Sequence, residues 1–163
     1  MKIYGVTGWK NNGKTGLMER LVAEFTARGL TVSTIKHAHH SFDVDRPGKD
    51  SYRHRTAGAS EVLVASTERI ALMQELRGAP EPTLDDLLAR LSPVDLVLIE
   101  GYKQGRHPKV EVHRAEAGTG LIAAEDASIR AVASDERLDL PVPVFDLDDT
   151  AAVADFIAAE LGL

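Results

Sequence analysis

Eight residues decide the fold of this chain: Gly8-Trp9-Lys10-Asn11-Asn12-Gly13-Lys14-Thr15. They fit the pattern G-x-x-x-x-G-K-[ST] of the phosphate-binding P-loop. Residues 2–7 before the loop predict a short buried strand, and the spacing of Leu17, Leu21 and Phe25 after it predicts a helix. A strand, a glycine loop and a helix in this order direct backbone N–H groups and the positive end of the helix toward one anion. The sequence therefore predicts a nucleotide-binding site near its N-terminus.

The residues of the loop have separate expected roles. Lys14 is expected to reach the β- and γ-phosphates, and the Thr15 hydroxyl group is expected to bind Mg²⁺. Gly8 and Gly13 permit backbone conformations and a close approach to the phosphates that a Cβ atom would block. The predicted nucleotide-binding residues of this segment are Gly8, Lys10, Asn11, Asn12, Gly13, Lys14, Thr15 and Gly16.

Length and composition predict one soluble globular domain, residues 1–163, with 44% hydrophobic and 27% charged residues. The formal net charge of −6 argues against broad nucleic-acid binding, which depends on a basic surface. The absence of cysteine excludes disulfides and thiolate metal sites and is compatible with a reducing cytoplasm. No apolar segment reaches membrane-spanning length and no signal peptide is evident. We therefore expect a cytoplasmic protein that binds neither nucleic acid nor membrane.

Strand and helix patterns alternate along most of the chain. The predicted strands cover residues 2–7, 31–35, 61–65, 69–73, 94–99, 109–113, 131–133 and 142–145, and the predicted helices cover 15–28, 50–57, 83–91 and 149–161. Pro143 favours a position near a sheet edge for the last strand. The alternation predicts an α/β fold of the P-loop NTPase-like class, with a largely parallel sheet flanked by helices.

Residues 95–101 have the pattern of the acidic strand that accompanies a P-loop. In an open α/β sheet, ligands bind beyond the carboxyl ends of the strands. Glu100 lies at that end of the predicted strand, whereas Asp95 lies at the other end, with a rise of roughly 3.3 Å per residue between them. We therefore predict that Glu100, and not Asp95, is the carboxylate on the Mg²⁺ side, acting directly or through water. The alternative is that Glu100 only ends the strand in a polar loop.

Residues 35–53 form a polar segment that contains three histidines, His37, His39 and His40. The histidines alone are a weak indication of a metal site, because zinc prefers tetrahedral ligand sets at recognisable spacings. Asp43 and Asp45 follow them, on a loop predicted to leave the strand beside the P-loop. Either carboxylate could assist Mg²⁺ binding indirectly, through contacts with the direct ligands of the metal. We predict that Asp45 has this role. A solvated loop, or a switch-like loop facing the phosphates, are the alternatives.

Several motifs follow one another in the order of a known family. They are the P-loop, Ile35-Lys36-His37-x-His39-His40, Asp43-Val44-Asp45-x-Pro47-Gly48-Lys49-Asp50-Ser51-Tyr52, Ala57-Gly58-Ala59, Ile99-Glu100-Gly101-Tyr102-Lys103 and Ala131-Val132-Ala133-Ser134-Asp135. Together they resemble the molybdopterin-guanine dinucleotide biosynthesis adapter proteins, the MobB family, over essentially the whole chain. The resemblance implies a homodimer that binds GTP, has weak GTPase activity and works with the molybdenum cofactor guanylyltransferase, which attaches GMP to molybdopterin. Related dimeric ATPases carry a lysine directly after the first glycine of the loop, but Trp9 holds that position here.

The sequence says less about which base the nucleotide carries than about how its phosphates are bound. The guanine-reading motif Asn-Lys-x-Asp is absent, since the only asparagines are Asn11 and Asn12. A carboxylate can accept both donors on the Watson–Crick edge of guanine, and Asp135, after the predicted strand 131–133, is the predicted reader. An aspartate that only forms a turn is an equal alternative. The residues indicate a nucleoside triphosphate with Mg²⁺, and guanine as its base follows from the resemblance.

Three functions are compatible with the residues alone. The first is a GTP-binding adapter with slow hydrolysis at most, and the second is a small-molecule kinase or an ATP-dependent synthetase. The third is a dimeric switch, unrelated to molybdenum, that moves the central loop. The small size of the chain and the resemblance favour the adapter. Molybdopterin is anionic and is a further candidate ligand, for which the candidate cationic residues are Lys36, Arg46, Lys49, Arg53 and Arg55.

Overall fold

The computed structural model describes residues 1–38 and 42–163 of the chain. These residues form two compact units. The first unit contains Met1–His37 and Leu91–Leu163, and the second unit contains Ala38–Arg90. The prediction that residues 1–163 form a single nucleotide-binding domain stays a prediction. Within the described ranges, no helix is long and apolar enough to cross a membrane.

The secondary structure follows the alternation expected from the sequence. The elements are β1 (Lys2–Thr7), α1 (Lys14–Ala27), β2 (Val32–Lys36), α2 (Asp50–Thr56), β3 (Glu61–Ala65), β4 (Ile70–Gln74), α3 (Leu84–Leu88), β5 (Leu96–Glu100), β6 (Lys109–His113), β7 (Ile129–Ser134), β8 (Val144–Asp146) and α4 (Thr150–Leu161), with short 3₁₀ turns at Ala115–Ala117 and Ile122–Ala124. Most predicted bounds differ from these by one or two residues. The largest difference is at α3, which ends at Leu88 and not near residue 91.

The first unit is built on a six-stranded sheet in the order β2-β5-β1-β6-β7-β8, in which every neighbouring pair of strands is parallel. The carboxyl ends of the strands therefore meet at one edge of the sheet. β5 is buried along its whole length between β2 and β1, which explains its uninterrupted apolar run before Glu100. β8 is an edge strand, as Pro143 predicts. The predicted α/β fold, P-loop NTPase-like with a largely parallel sheet flanked by helices, is confirmed.

Helices α1 and α4 complete the core of the first unit. Leu17, Leu21 and Phe25 of α1 are fully buried, as their spacing predicts, and Val153 and Ile157 of α4 are buried with them. These side chains pack in one cluster with apolar residues of β1, β5, β6 and β7. Full burial of each large apolar side chain contributes about 1.5–3 kcal/mol to the free energy of folding. The core thus holds the carboxyl ends of the strands in fixed positions.

The polar residues of β6 are buried as deeply as its valines. The Lys109 ammonium group donates a hydrogen bond to the Ser128 hydroxyl group and lies 3.7 Å from the Asp126 carboxylate. The Glu111 carboxylate accepts hydrogen bonds from the first two backbone N–H groups of the turn Ile122–Ala124, over 2.9 and 2.8 Å. Because each buried charge has partners, the segments that follow β6 are held against the sheet.

The second unit consists of α2, the antiparallel hairpin β3–β4 and α3. A reciprocal capping box between Thr83 and Asp86 begins α3. The hairpin leaves large apolar side chains in solvent, since Leu63, Ile70 and Leu72 are all more than half exposed.

Candidate functional site

The P-loop connects β1 to α1, as the sequence predicts. Gly8 has a φ of 139°, and a Cβ atom there would lie 2.4 Å from the carbonyl oxygen of Val112. Gly13 has a φ of 91° and is the N-cap of α1, and Gly16 lies in the first turn of that helix. Both conformations are ones that glycine adopts without strain, so the loop geometry requires glycine at positions 8 and 13. The N–H groups at the start of α1 have no partners within the helix and are suited to bind an anion.

The Lys14 side chain folds back over the P-loop. Its ammonium group donates a hydrogen bond to the carbonyl oxygen of Trp9 over 2.7 Å. Burial is the main cause that lowers the pKa of Lys14; the Glu100 carboxylate opposes this shift, and the charges of Lys103 and Lys36 add to it. A phosphate oxygen is a stronger acceptor for an ammonium group than a carbonyl oxygen. Lys14 thus lies at the P-loop, and its role with the β- and γ-phosphates stays a prediction.

Glu100 ends β5 beside both the P-loop helix and β2. Its Oε1 atom accepts a hydrogen bond from the Thr15 hydroxyl group over 3.3 Å and lies 3.3 Å from the Lys36 ammonium group. The register explains this position, because Glu100 pairs with Val6 of β1 on one side and with Lys36 of β2 on the other. The hydroxyl and carboxylate groups predicted to serve Mg²⁺ are thus adjacent, and oxygen ligands are those that Mg²⁺ prefers.

Asp95 lies at the opposite edge of the sheet, just before β5. Its carboxylate accepts hydrogen bonds from the N–H group and the hydroxyl group of Thr31, over 2.8 and 2.6 Å. These hydrogen bonds lower the pKa of Asp95. Asp95 therefore joins the amino ends of β2 and β5 and is remote from the P-loop.

The Asn12 side chain points into the interior of the protein and is fully buried. Its Nδ2 atom donates a hydrogen bond to the Thr119 hydroxyl group over 3.0 Å, and its Oδ1 atom accepts one from the N–H group of Arg114 over 3.1 Å. Asn12 therefore anchors the P-loop to the segment after β6, and its predicted contact with a nucleotide is limited to the backbone. Lys10 and Asn11 are exposed on the loop.

Asp135 follows β7 and lies beside a cavity at the same edge of the sheet. This cavity, of about 440 Å³, is lined by residues after β7 and by β8, among them Asp135, Arg137 and Phe145. The Oδ1 atom of Asp135 accepts a hydrogen bond from the N–H group of Ala115 over 2.9 Å, and its Oδ2 atom lies 3.8 Å from Nη1 of Arg114. A guanine base would therefore share this carboxylate with a backbone N–H group.

Of the three histidines that gave a weak indication of a metal site, His37 is described, whereas His39 and His40 lie outside the described residues. The N–H group of His37 donates a hydrogen bond to the carbonyl oxygen of Glu100 over 2.9 Å, and its ring lies 4.5 Å from the Tyr102 ring, centroid to centroid. Among residues 1–38 and 42–163, no group of three or more His, Asp or Glu side chains is placed to hold a metal ion.

Asp45 belongs to the second unit, where its carboxylate has partners. It accepts a hydrogen bond from the Ser51 hydroxyl group over 3.0 Å and lies 3.5 Å from Nε of Arg55. Arg55 also pairs with Asp43 and Glu75, over 2.8 and 2.7 Å. The carboxylates thus surround one guanidinium group, and the metal-binding role of Asp45 stays a prediction.

Two cations beside the P-loop are not among the predicted nucleotide-site residues. The ammonium group of Lys103 lies 3.6 Å from the centre of the Trp9 ring. The guanidinium group of Arg114 lies against Gly13, so close that a Cβ atom added to this glycine would lie 2.9 Å from Nε of Arg114. The position of Lys103 just after β5 is a usable sequence signal, because residues beyond the carboxyl ends of strands line such sites. The same signal exists for Arg114, which directly follows the carboxyl end of β6.

The chain matches a family model described as molybdopterin guanine dinucleotide synthesis protein B over residues 3–135. Two curated relatives are named molybdopterin-guanine dinucleotide biosynthesis adapter protein. The relative from Haemophilus influenzae is 41% identical over 158 residues, which cover 95% of this chain and 86% of the relative. The relative from Escherichia coli is 42% identical over 160 residues, which cover 95% of this chain and 90% of the relative.

Solved structures of the same family share the fold. The crystal structure of a MobB protein homolog from Bacillus stearothermophilus superposes with a TM-score of 0.76 and 35% sequence identity, and the match covers 99% of both chains. The crystal structure of MobB from Bacillus subtilis superposes with a TM-score of 0.78 and 26% identity, over 99% of this chain and 98% of the other.

Proposed function

The chain belongs to the molybdopterin guanine dinucleotide synthesis protein B family, and we propose that this adapter of molybdenum cofactor biosynthesis works by binding GTP and Mg²⁺ at its P-loop. The observation that carries the proposal is the meeting of Lys14, Thr15 and Glu100 at the carboxyl edge of the sheet. The first of these supplies a cation for phosphate, and the other two supply oxygens for Mg²⁺.

The proposed binding mode assigns the triphosphate to the P-loop backbone and to the amino end of α1. Gly8 and Gly13 let the loop adopt its conformation, and Lys14 exchanges the Trp9 carbonyl oxygen for a phosphate oxygen. Mg²⁺, when bound, neutralises phosphate charge beside the Thr15 hydroxyl and Glu100 carboxylate groups. Lys36, whose ammonium group lies 3.3 Å from the Glu100 carboxylate, balances part of its charge.

We propose that guanine is selected at the cavity beside Asp135. The carboxylate lies at the same sheet edge as the P-loop, and Phe145 in the cavity wall offers an apolar surface to a planar base. Adenine lacks the paired donors that a carboxylate accepts, so Asp135 would favour GTP over ATP.

The proposed hydrolysis of GTP is slow, and the protein is an accessory factor first. Fast hydrolysis requires a residue that positions water and a cation that stabilises the transition state, and an arginine finger alone supplies a factor of about 10³–10⁵. The only glutamines of the chain are Gln74 and Gln104, and neither belongs to a recognised water-positioning motif. The Gln74 side chain is hydrogen-bonded to Arg90 in the second unit.

An adapter in this pathway has partners within it, and we propose two. One is the molybdenum cofactor guanylyltransferase, and the other is a second copy of this chain. We propose that both interactions take place in the cytoplasm. The exposed apolar side chains of the hairpin support the homodimer, because a cluster of large apolar side chains on a surface gains from being covered.

Molybdopterin itself is a further proposed ligand. Of its candidate cations, Lys36 is paired with Glu100 and Arg55 with three carboxylates. Arg46, Lys49 and Arg53 are exposed and are the better candidates for an external anion.

Calorimetric titration of the protein with GTP and with ATP, each with and without Mg²⁺, tests the nucleotide proposal. We expect tighter binding of GTP than of ATP, and of GTP with Mg²⁺ than without it. Absence of binding by either triphosphate would refute the P-loop assignment. A phosphate-release assay on the isolated protein tests slow hydrolysis, and capture of the purified guanylyltransferase tests the partner.

A further inference from the structure

Lys103 and Trp9 form a cation–π contact at the P-loop. The Lys103 ammonium group lies 3.6 Å from the centroid of the Trp9 ring. Trp9 is 43% exposed although it stands between the first glycine of the loop and Lys10. A large aromatic side chain in this position has no core to fill, and its contact is with a cation from another segment.

The turn after β5 is shaped to bring Lys103 to this place. Gly101 has a φ of 95°, and Tyr102, which is not a glycine, has a φ of 47°. Two successive residues in the left-handed region turn the chain sharply where the strand ends, and the N–H group of Gly105 closes the turn on the Tyr102 carbonyl oxygen over 2.8 Å. The N–H group of Gly101 also donates to the carbonyl oxygen of Val6 in β1 over 3.1 Å, which ties the turn to the strand that enters the P-loop.

Positive charges converge on residue 9. The Lys14 ammonium group is bound to the Trp9 carbonyl oxygen, and the Lys103 ammonium group lies over the Trp9 ring. The charge of Lys103 contributes to the lowered pKa of Lys14, as does that of Lys36, after the larger effect of burial. Glu100 pairs with Lys36 and interacts with Lys14, and its single negative charge does not balance the three ammonium groups, so an excess of positive charge remains. Such an excess at an anion-binding loop fits a ligand with several negative charges, and a nucleoside triphosphate is one.

We propose that Lys103 is a phosphate-binding residue, and that the Trp9 ring holds its ammonium group beside the P-loop until the terminal phosphates of a nucleoside triphosphate draw it away. A charge-assisted hydrogen bond to phosphate is stronger than a cation–π contact at an exposed ring, so the exchange is favourable. The contact keeps a flexible lysine near its ligand and lowers the entropy that is lost when the nucleotide binds. This inference rests on the proposed binding of GTP at the P-loop.

Trp9 makes the inference directly measurable, because it is the only tryptophan of the chain. Its fluorescence therefore reports the ring that Lys103 covers. We expect GTP with Mg²⁺ to change the emission of the wild-type protein, and we expect a Lys103→Gln variant to show a smaller change. In calorimetry the same variant should bind GTP about tenfold more weakly, the loss expected for one charge-assisted hydrogen bond. Its affinity for GMP, which lacks terminal phosphates, should be unchanged.

Two variants complete the experiment. Lys103→Arg keeps the cation and should retain most of the GTP affinity, whereas Lys2→Gln removes the same charge at the amino end of β1, the opposite edge of the sheet, and should behave as the wild type. Thermal unfolding followed by circular dichroism verifies that each variant is folded.

Each contrary outcome has a separate meaning. Wild-type GTP affinity and wild-type fluorescence response in Lys103→Gln would overturn the role of Lys103 and leave the P-loop assignment intact. Equal losses for GTP and GMP would mean that Lys103 only supports the structure of the loop. If the wild-type protein binds no nucleotide, the proposed function fails and this inference fails with it.

Discussion

The hydroxyl group of Thr15 and the carboxylate of Glu100 meet over 3.3 Å, although the two residues are 85 positions apart in the sequence. The parallel pairing of β1 with β5 produces this contact, because Val6, just before the P-loop, is in register with Glu100. The Lys36 ammonium group contacts the same carboxylate oxygen from β2. A buried carboxylate thus lies between a hydroxyl group suited to Mg²⁺ and a cation that balances its charge.

Glu100→Gln should weaken Mg²⁺-dependent GTP binding more than Mg²⁺-free binding. The amide keeps the shape of the side chain and can still accept the Thr15 hydrogen bond, but it removes the charge that attracts the metal. Calorimetric titrations with and without Mg²⁺ measure the difference between the two losses. Equal losses under both conditions would identify Glu100 as a structural residue that only orders the end of β5.

Lys14→Ala should nearly abolish triphosphate binding and leave the fold intact. The Lys14 ammonium group donates a hydrogen bond to the carbonyl oxygen of Trp9 in the exposed loop, so its loss should cost the fold little, whereas charged hydrogen bonds to phosphate contribute about 1.5–3 kcal/mol each. Lys2→Ala, at the amino end of β1, is the matched control. A folded Lys14→Ala protein with unchanged GTP affinity would contradict the P-loop assignment.

Local sequence patterns were sufficient to predict most of the first unit. The P-loop requires a strand before it and a helix after it, and the apolar run before Glu100 is long enough to be a strand buried on both faces. Because parallel strands place their carboxyl ends at one edge, the proximity of Glu100 to Thr15 follows from the topology without any knowledge of side-chain contacts.

Contacts made by long side chains could not be predicted in the same way. The position of Lys103 over Trp9 depends on a turn with two left-handed residues, one of which, Tyr102, is not a glycine. The engagement of Asp135 by the N–H group of Ala115 depends on how β6 and β7 are joined. In β6, polar residues at alternate positions resemble a solvent-facing pattern, yet Lys109 is fully buried because Asp126 and Ser128 pair with it.

Asp135→Asn should lower the preference for GTP over ATP. The amide oxygen can still accept the hydrogen bond from Ala115, so the fold should persist, but the side chain can no longer accept two hydrogen bonds from guanine. Parallel titrations with the two triphosphates give the ratio of affinities, and the ATP affinity is the internal control. A variant that keeps the full preference would show that other groups read the base.

Leu72→Asp should shift the protein toward monomers. Leu72 faces Leu63 across the β3–β4 hairpin, and both side chains are more than half exposed, so a charge there should oppose any partner that covers this face. Sedimentation at micromolar concentrations measures the change. Thr67→Asp adds the same charge between the two strands and should leave the assembly as in the wild type. A wild-type protein that sediments as a monomer across this range would refute the homodimer.

His107 should make the protein less stable as the pH falls below about 6.5. Its ring is 8% exposed and lies against Gly5 and Gly105, and neither ring nitrogen has a hydrogen-bond partner among the described residues. Burial lowers the pKa of His107 to about 4, the charge of Lys109 adds to this shift, and Asp126 opposes it. Between pH 6.5 and 4 the unfolded chain therefore binds a proton that the folded protein excludes, so the stability present at neutral pH is progressively lost on acidification.

The loss assigned to this histidine is at most on the order of 3 kcal/mol over that interval, from the difference between its folded and unfolded pKa values. Urea unfolding at a series of pH values from 7 to 4 gives the free energy of unfolding as a function of pH. The loss is the difference between the slopes of this dependence in the wild type and in a His107→Gln variant, whose side chain does not titrate. The slope is the correct readout because the substitution also changes packing against Gly5 and Gly105, an effect that is independent of pH. His54→Gln, at an exposed position of the second unit, is the matched control and should follow the wild-type profile. If the free energy of unfolding depends on pH in the same way in the wild type and in His107→Gln, then His107 takes up its proton in the folded protein. That result would disprove the claim that the buried site excludes the proton.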